Sequence, residues 1–414
     1  MTSEPKVAFV WVWLPGAVEP VIAGRLDPVG PAVTFTYGQS YLEREDAIPL
    51  YLPELPLKRG PISALVGEIP GCIADAAPDA WGQRVILYGL TGRPDAETTE
   101  FGPLTYLLRS GSDRIGALDF QASPDEYLPR GMDHADLDEL AESAERVEQG
   151  LPVSPELDQA LLHGSSVGGA RPKALIDDGG RKLIAKFSST TDTFPVVKGE
   201  FVAMELARRA GIDAASVQLT KAHGRDALLV TRFDRPGEGR RRALISALTL
   251  LELDEAGARY ASYADFADLV RARFTESTKT LRELFSRIVF NILCSNNDDH
   301  ARNHAAFWDG EALILTPAYD ICPQLRSGGE TAQLMAIGRD GWRMSQVAGC
   351  VERASPYLLS EAEAQEIVEN QLETIEGHWD EVCDLAGLTE VERASFWGRQ
   401  FLNPYALEGY QRRN

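Results

Sequence analysis

The chain has 414 residues, 44% hydrophobic and 25% charged, enough to bury ample core in two or three packed units. Its 62 acidic against 41 basic side chains give a formal charge of -21, which repels a polyphosphate backbone and disfavours direct nucleic-acid binding by this chain alone. No stretch approaches the ~20 apolar residues of a membrane span, residues 1–27 lack the order of a secretion signal, and the five scattered cysteines form no C-x-x-C pair; a cytoplasmic protein with reduced thiols and no membrane contact is expected.

Along the chain, VAFVWVWL (Val7 to Leu14) and AVEPVIAGRL (Ala17 to Leu26) flank Pro15-Gly16 and predict a β-hairpin, with PAVTFTYGQSYLE as a third strand. From Pro78 the pattern turns helical, Asp79 and Ala80 opening WGQRVILYGL, before IGALDFQA (Ile115 to Ala122) returns to strand. The acidic run DLDELAESAERVEQG predicts a connector helix. Next, GSSVGGARPKALIDDGGRKLIAKF reads as a Gly-rich loop feeding a hairpin through Asp-Gly. GEFVAMELARRAG is a helix stopped by Gly211, and DALLVTRFDR a further strand. Helical patterns then dominate to the end. The expected fold is α+β with two lobes: a β-rich region 1–125, a connector 126–163, a small lobe 164–240 and a helical lobe 241–414.

The chemistry concentrates in NNDDHARNHAAF, Asn296 to Phe307, delivered by the apolar-periodic helix TLRELFSRIVFNILCSN. So polar a loop beside a buried helix is costly unless its groups bind something. Asp298 and Asn303 have the D-x-x-x-x-N spacing with which kinases place a catalytic carboxylate and a metal-binding amide, whereas Asp299 has no Asn five residues on. Asp320 is expected at the end of strand ALILTPAYDICP, where a second oxygen ligand suits Mg²⁺. Lys186 on LIAKF and Glu200 at the opening of the next helix make an ion pair available. Ser166 to Lys173, SVGGARPK, could fold over phosphates through its backbone N–H groups, with Lys173 as a further cation. The competing zinc reading, His300 and His304 at i, i+4 with an aspartate, lacks H-E-x-x-H; His300 could instead hydrogen-bond within the loop and fix Asp298.

These residues together resemble the HipA-like serine/threonine kinase toxins of bacterial toxin–antitoxin modules over nearly the full length. FTYGQSYLEREDAIPLYLPEL and DRIGALDF resemble the amino-terminal subdomain, SSVGGARPKALI the Gly-rich loop, ALLVTRFDR the hinge strand, and NNDDHARNHAAF with LTPAYDICP the catalytic and metal loops. The resemblance implies a kinase-like fold related to lipid and protein kinases, with ATP held between a small β lobe and a helical lobe. It implies Asp298 as catalytic base, Asn303 and Asp320 as Mg²⁺ ligands, and Lys173 and Lys186 on phosphates. Thr231 and Phe233 would face adenine, with Asp234 nearby, and Ser166, Val167, Gly168 and Gly169 would form a nucleotide loop autophosphorylated at Ser166. His300 is grouped with these nucleotide-site residues. An aminoacyl-tRNA synthetase is the implied substrate and a helix-turn-helix antitoxin the implied partner, DNA being reached only through it. Arg302 stands where the family usually has Lys, and Ala-Ala-Pro-Asp where it commonly has Leu-Pro-Glu-Gly. A catalytically silent nucleotide-binding partner of an antitoxin, or a small-molecule or lipid kinase, are the alternatives.

Overall fold

A computed structural model describes residues 5–93, 96–131, 136–149, 151, 171–189, 191–326 and 329–413. The chain divides into two compact units, Met1–Thr190 with Thr220–Ile245 and Phe307–Glu311, and Thr191–Leu219 with Ser246–Ala306 and Ala312–Asn414.

The first unit opens with a five-stranded antiparallel sheet, order β4-β3-β2-β1-β5, built from β1 Ala8–Val12, β2 Val21–Val29, β3 Ala32–Tyr37, β4 Ile62–Ser63 and β5 Leu118–Gln121. The alternation in AVTFTY buries Val33, Phe35 and Tyr37 on one face, as a half-buried strand requires. Gly24 lies where a Cβ would stand 2.2 Å from the Thr36 carbonyl, so only glycine permits this close pairing of β2 and β3.

A second sheet, order β6-β7-β9-β8, contains β6 Lys173–Asp178, β7 Arg181–Phe187, β8 Val217–Ala222 and β9 Arg225–Thr231. Gly179 and Gly180 both take positive φ, the mirror-type turn that Asp-Asp-Gly-Gly favours. Ala174, Ala185, Phe187 and Ala227 of this sheet share one buried core with Trp81 and Val85 of helix Ala80–Thr91 and with Leu140, Ala144 and Val147 of helix Leu137–Glu148. The amino-terminal helix and the predicted connector helix are thus covers for the second sheet. Strands β10 Ala243–Ser246 and β11 Ala305–Trp308 each carry the chain across the division between the units, and β12 Leu313–Leu315 lies in the second.

In the second unit, helix Ser277–Leu293 buries Leu281, Leu284, Phe285, Ile288, Val289 and Ile292, packing against helices Tyr263–Arg273 and Glu361–Leu385. The last of these also packs on helix Val196–Arg209, which begins four residues before Glu200. Glu200 therefore sits buried in the second turn and not at the helix opening expected from the sequence, so it does not complement the helix N-terminus. The strand expected to end at Asp320 stops at Leu315; Pro317 follows, and proline cannot donate to a strand ladder. Among the described residues no helix is long and apolar enough to cross a membrane.

Candidate active site

Helix Ser277–Leu293 positions the polar loop. Its end is drawn tight: Cys294 N–H donates to the Phe290 carbonyl at 2.9 Å and Asn296 N–H to the Asn291 carbonyl at 2.8 Å, with Ser295 at positive φ between them. Asn291, a polar residue inside the buried run I-V-F-N-I-L, turns its side chain to the loop, donating to Asp299 Oδ2 at 2.9 Å and accepting from Asn296 Nδ2 at 3.1 Å. Asp299 is buried and also engages His304 Nε2 at 2.7 Å and the Tyr263 hydroxyl. Burial alone would raise its carboxyl, but His304 and the hydrogen bonds from His304 and Tyr263 outweigh that and hold it below the usual range. A buried carboxylate held by three elements is a splint for the loop.

Asp298, the residue before Asp299, is exposed. Its carboxyl is raised above the ordinary value, first by the partial burial around it; His300 opposes this, and the negative charges of Asp320 and Asp299 add to it. Asp298 and Asp320, 22 residues apart in sequence, therefore lie within electrostatic reach of one another. The loop carrying Asp320 is tied to the first loop by the Tyr319 hydroxyl, which donates to the Arg302 carbonyl at 2.7 Å, and by Gln324 N–H, which donates to the Ser295 carbonyl at 3.0 Å. It is further anchored where Ala318 N–H donates to Asp213 and Ala215 N–H to Ala318. Asp320 itself takes the left-handed φ of +60°, uncommon for a residue with a Cβ and frequent at functional turns. Asn303 is buried at the end of the 3-10 turn Ala301–Asn303, its N–H donating to the His300 carbonyl at 2.8 Å. Arg302, where the family usually has Lys, pairs with Glu255 at 2.5 Å.

Asn303 and Asp320 carry oxygen donors of the kind Mg²⁺ takes, and Asp298 lies within electrostatic reach of Asp320. The zinc alternative finds no ligand set, since His304 Nε2 is taken by Asp299 and, among the described residues, no group of three or more His, Cys, Asp or Glu could hold a metal ion.

The other candidates lie as follows. Lys173 and Lys186 are directly opposite one another in the β6–β7 register, both in the first unit, whereas Glu200 is in the second. Lys173 is buried with its ammonium 3.6 Å from Asp79 Oδ2. Ser166, Val167, Gly168 and Gly169 fall outside the described residues. Thr231 closes β9, and the Phe233 ring meets Phe307 edge-on at 5.9 Å between centroids. Asp234, grouped with adenine in the sequence reading, has both oxygens taken by protein groups. It accepts from Arg232 at 2.8 and 3.0 Å, from Arg235 at 2.8 Å and from Gly116 N–H at 2.8 Å, inside a buried network that also holds Asp113. It joins the hinge segment to the D-R-I-G turn, which accounts for its place without a nucleotide. Sequence reasoning passed over Asn291 and Tyr263 and gave Asp299 and His304 no role as a splint; the one signal available was the lone Asn in an apolar helical run.

Comparison with known proteins completes the picture. The description "HipA-like C-terminal domain" matches residues 165–379 and "HipA N-terminal domain" residues 12–121. Y4mE of Sinorhizobium fredii, provisionally named a kinase, is 25% identical over 345 residues, 75% of this chain and 79% of that protein. The serine/threonine-protein kinase toxin HipA of Shewanella oneidensis is 25% identical over 183 residues, 38% of this chain and 42% of its own. In solved structures, HipA from the Shewanella oneidensis complex of HipA, HipB and operator DNA superposes with a TM-score of 0.68 at 20% identity, covering 93% of each chain, which establishes a shared mixed α/β fold. With its carboxyl-terminal match spanning more than half of the sequence, its amino-terminal match preceding it in order, and the fold in common, the chain belongs to the HipA-like family.

Proposed function

We propose that the chain is an ATP-dependent serine/threonine protein kinase acting as the toxin of a toxin–antitoxin pair. The observation that carries this reading is the constellation of Asp298, Asn303 and Asp320 on two cross-tied loops, with Asp298 accessible and its carboxyl raised by burial and by Asp320. Asp298 orients an acceptor hydroxyl and takes its proton; Asn303 and Asp320 hold Mg²⁺. Lys173 and Lys186 face nucleotide phosphates, and Thr231 and Phe233 offer hinge backbone to the adenine. When bound, Mg²⁺·ATP supplies the γ-phosphoryl group and neutralises charge developing on it. The substrate would be an aminoacyl-tRNA synthetase, and Ser166 the site of autophosphorylation. Similarity to HipA, solved with HipB and operator DNA, supports a HipB-like helix-turn-helix antitoxin as partner.

The test is to incubate the purified chain with labelled ATP, Mg²⁺ and cell extract and to map phosphoserines by mass spectrometry. Label on an extract protein and on Ser166, both absent with Asp298→Ala, is the expected result. Label unaffected by Asp298→Ala overturns the assignment.

A further inference from the structure

Helix Ala80–Thr91 begins at an aspartate whose two oxygens do different things. Asp79 Oδ1 accepts from Gly82 N–H at 2.8 Å, an N-cap. Asp79 Oδ2 is buried and, among the described residues, receives no hydrogen bond; it faces the Lys173 ammonium at 3.6 Å. Lys173 is itself only 3% exposed and stands directly across the β6–β7 ladder from Lys186, and like charges directly opposite one another on a sheet are destabilising unless compensated. Trp81 and Val85 of the same helix share a buried core with Ala174 and Ala185, the neighbours of the two lysines in β6 and β7, so the helix is packed on the strands that carry them.

We propose that Asp79 is a positioning residue for nucleotide phosphate recognition: it caps its helix with one oxygen and with the other fixes the Lys173 ammonium beside Lys186. The proposal rests on the kinase reading above and extends the phosphate-handling machinery into the amino-terminal region, which would otherwise be only a platform. The ammonium stands 3.6 Å from Asp79 Oδ2, an ion-pair separation longer than a direct charge-assisted hydrogen bond, about 2.7–2.9 Å. An aspartate is needed here for the charge it sets against Lys173 and not for the cap. Burial pushes its carboxyl up to about 6 in spite of Lys173 and Gly82 N–H, and asparagine would cap the helix as well without a buried charge.

That equivalence supplies the experiment. Binding of Mg²⁺·ATP and of adenosine is measured by titration calorimetry for the wild-type chain, Asp79→Asn, Asp79→Glu, Lys173→Gln and the Asp79→Asn/Lys173→Gln pair. Asp79→Asn is expected to lower the thermal midpoint, because Lys173 stays buried without its acid, and to keep its adenosine affinity while losing about tenfold or more in ATP affinity. Asp79→Glu should restore part of that loss, and the double variant should be no worse than Lys173→Gln alone. A helix that merely loosened would weaken both ligands alike. ATP affinity unchanged or increased in Asp79→Asn overturns the proposal, as does Lys173→Gln with wild-type ATP affinity, a variant that serves if Asp79→Asn does not fold. A wild-type chain that binds ATP no better than adenosine removes the kinase reading and this proposal together, whereas the preceding outcomes leave the kinase reading standing.

Discussion

Two clusters of charge, one in each unit, have opposite electrostatics. Around the hinge segment, Asp113 and Asp234 are closed in by Arg232 and Arg235, with Arg232 donating also to the Asp113 and Arg114 carbonyls at 3.1 and 2.6 Å. Burial would raise both carboxyls, yet the guanidinium groups outweigh it and hold them well below the usual range. In the other unit, Asp298 has its carboxyl raised, first by the partial burial around it, with His300 opposing and Asp320 adding to the rise. A cluster whose carboxylates are enclosed by guanidinium groups is architecture. A carboxylate raised by partial burial beside a second carboxylate is the pattern of a functional-site candidate, and this separates the loop from the scaffold.

The comparison can be broken at several points. The largest effect is expected from Asp298→Ala or Asp320→Ala, which should keep the circular dichroism spectrum while reducing phosphate transfer by about 10³-fold or more, read from single-turnover labelling. Next, Asp234→Ala leaves Arg232 and Arg235 buried with an acid missing and should cost about 3–5 kcal/mol in urea unfolding. A midpoint close to wild type would show that the hinge cluster is not a closed structural unit.

The splint residue Asp299 should give a smaller loss. Asp299→Asn removes a charged acceptor for Tyr263, Asn291 and His304, at about 1–3 kcal/mol. The folded carboxyl lies below its ordinary value of 3.8, so its stabilisation is present above that value and is lost as pH falls through the lower, folded value. Acid unfolding of Asp299→Asn should therefore be less steep below about pH 4 than that of wild type. The smallest effect sharpens the contrast: without Mg²⁺, Asp320→Asn should move the Asp298 carboxyl downward in a ¹³C-detected titration. No movement would separate the two loops electrostatically.

Much of the local architecture is written in short-range pattern. Val7 to Leu14 and the DDGG turn became β1 and the β6–β7 hairpin, and the periodic run before Asn296 became helix Ser277–Leu293. Strand β8, Val217–Ala222, was missed, because its partly exposed VQLTKA lacks the continuous apolar run that marked LLV in β9. Asp320 was read at a strand terminus because ALIL runs smoothly into TPAYD, although the strand ends before Pro317. Residue spacing drew attention to Asp298 and Asn303 because both lie on one short loop. Spacing carries no information on Asp299, whose partners come from helix Tyr263–Arg273, helix Ser277–Leu293 and the residue preceding β11.

By itself the sequence determined elements, their order and the identity of the polar loop, since periodicity, turn residues and D-x-x-x-x-N are local properties of neighbouring side chains. Only the tertiary structure decided what each charge meets. It left Asp298 exposed and buried Asp299, closed Asp234 into a salt-bridge network, and set Asp79 against Lys173 across 94 residues of chain. Electrostatic energy depends on separation in space and on burial, and neither is encoded in the distance along the chain.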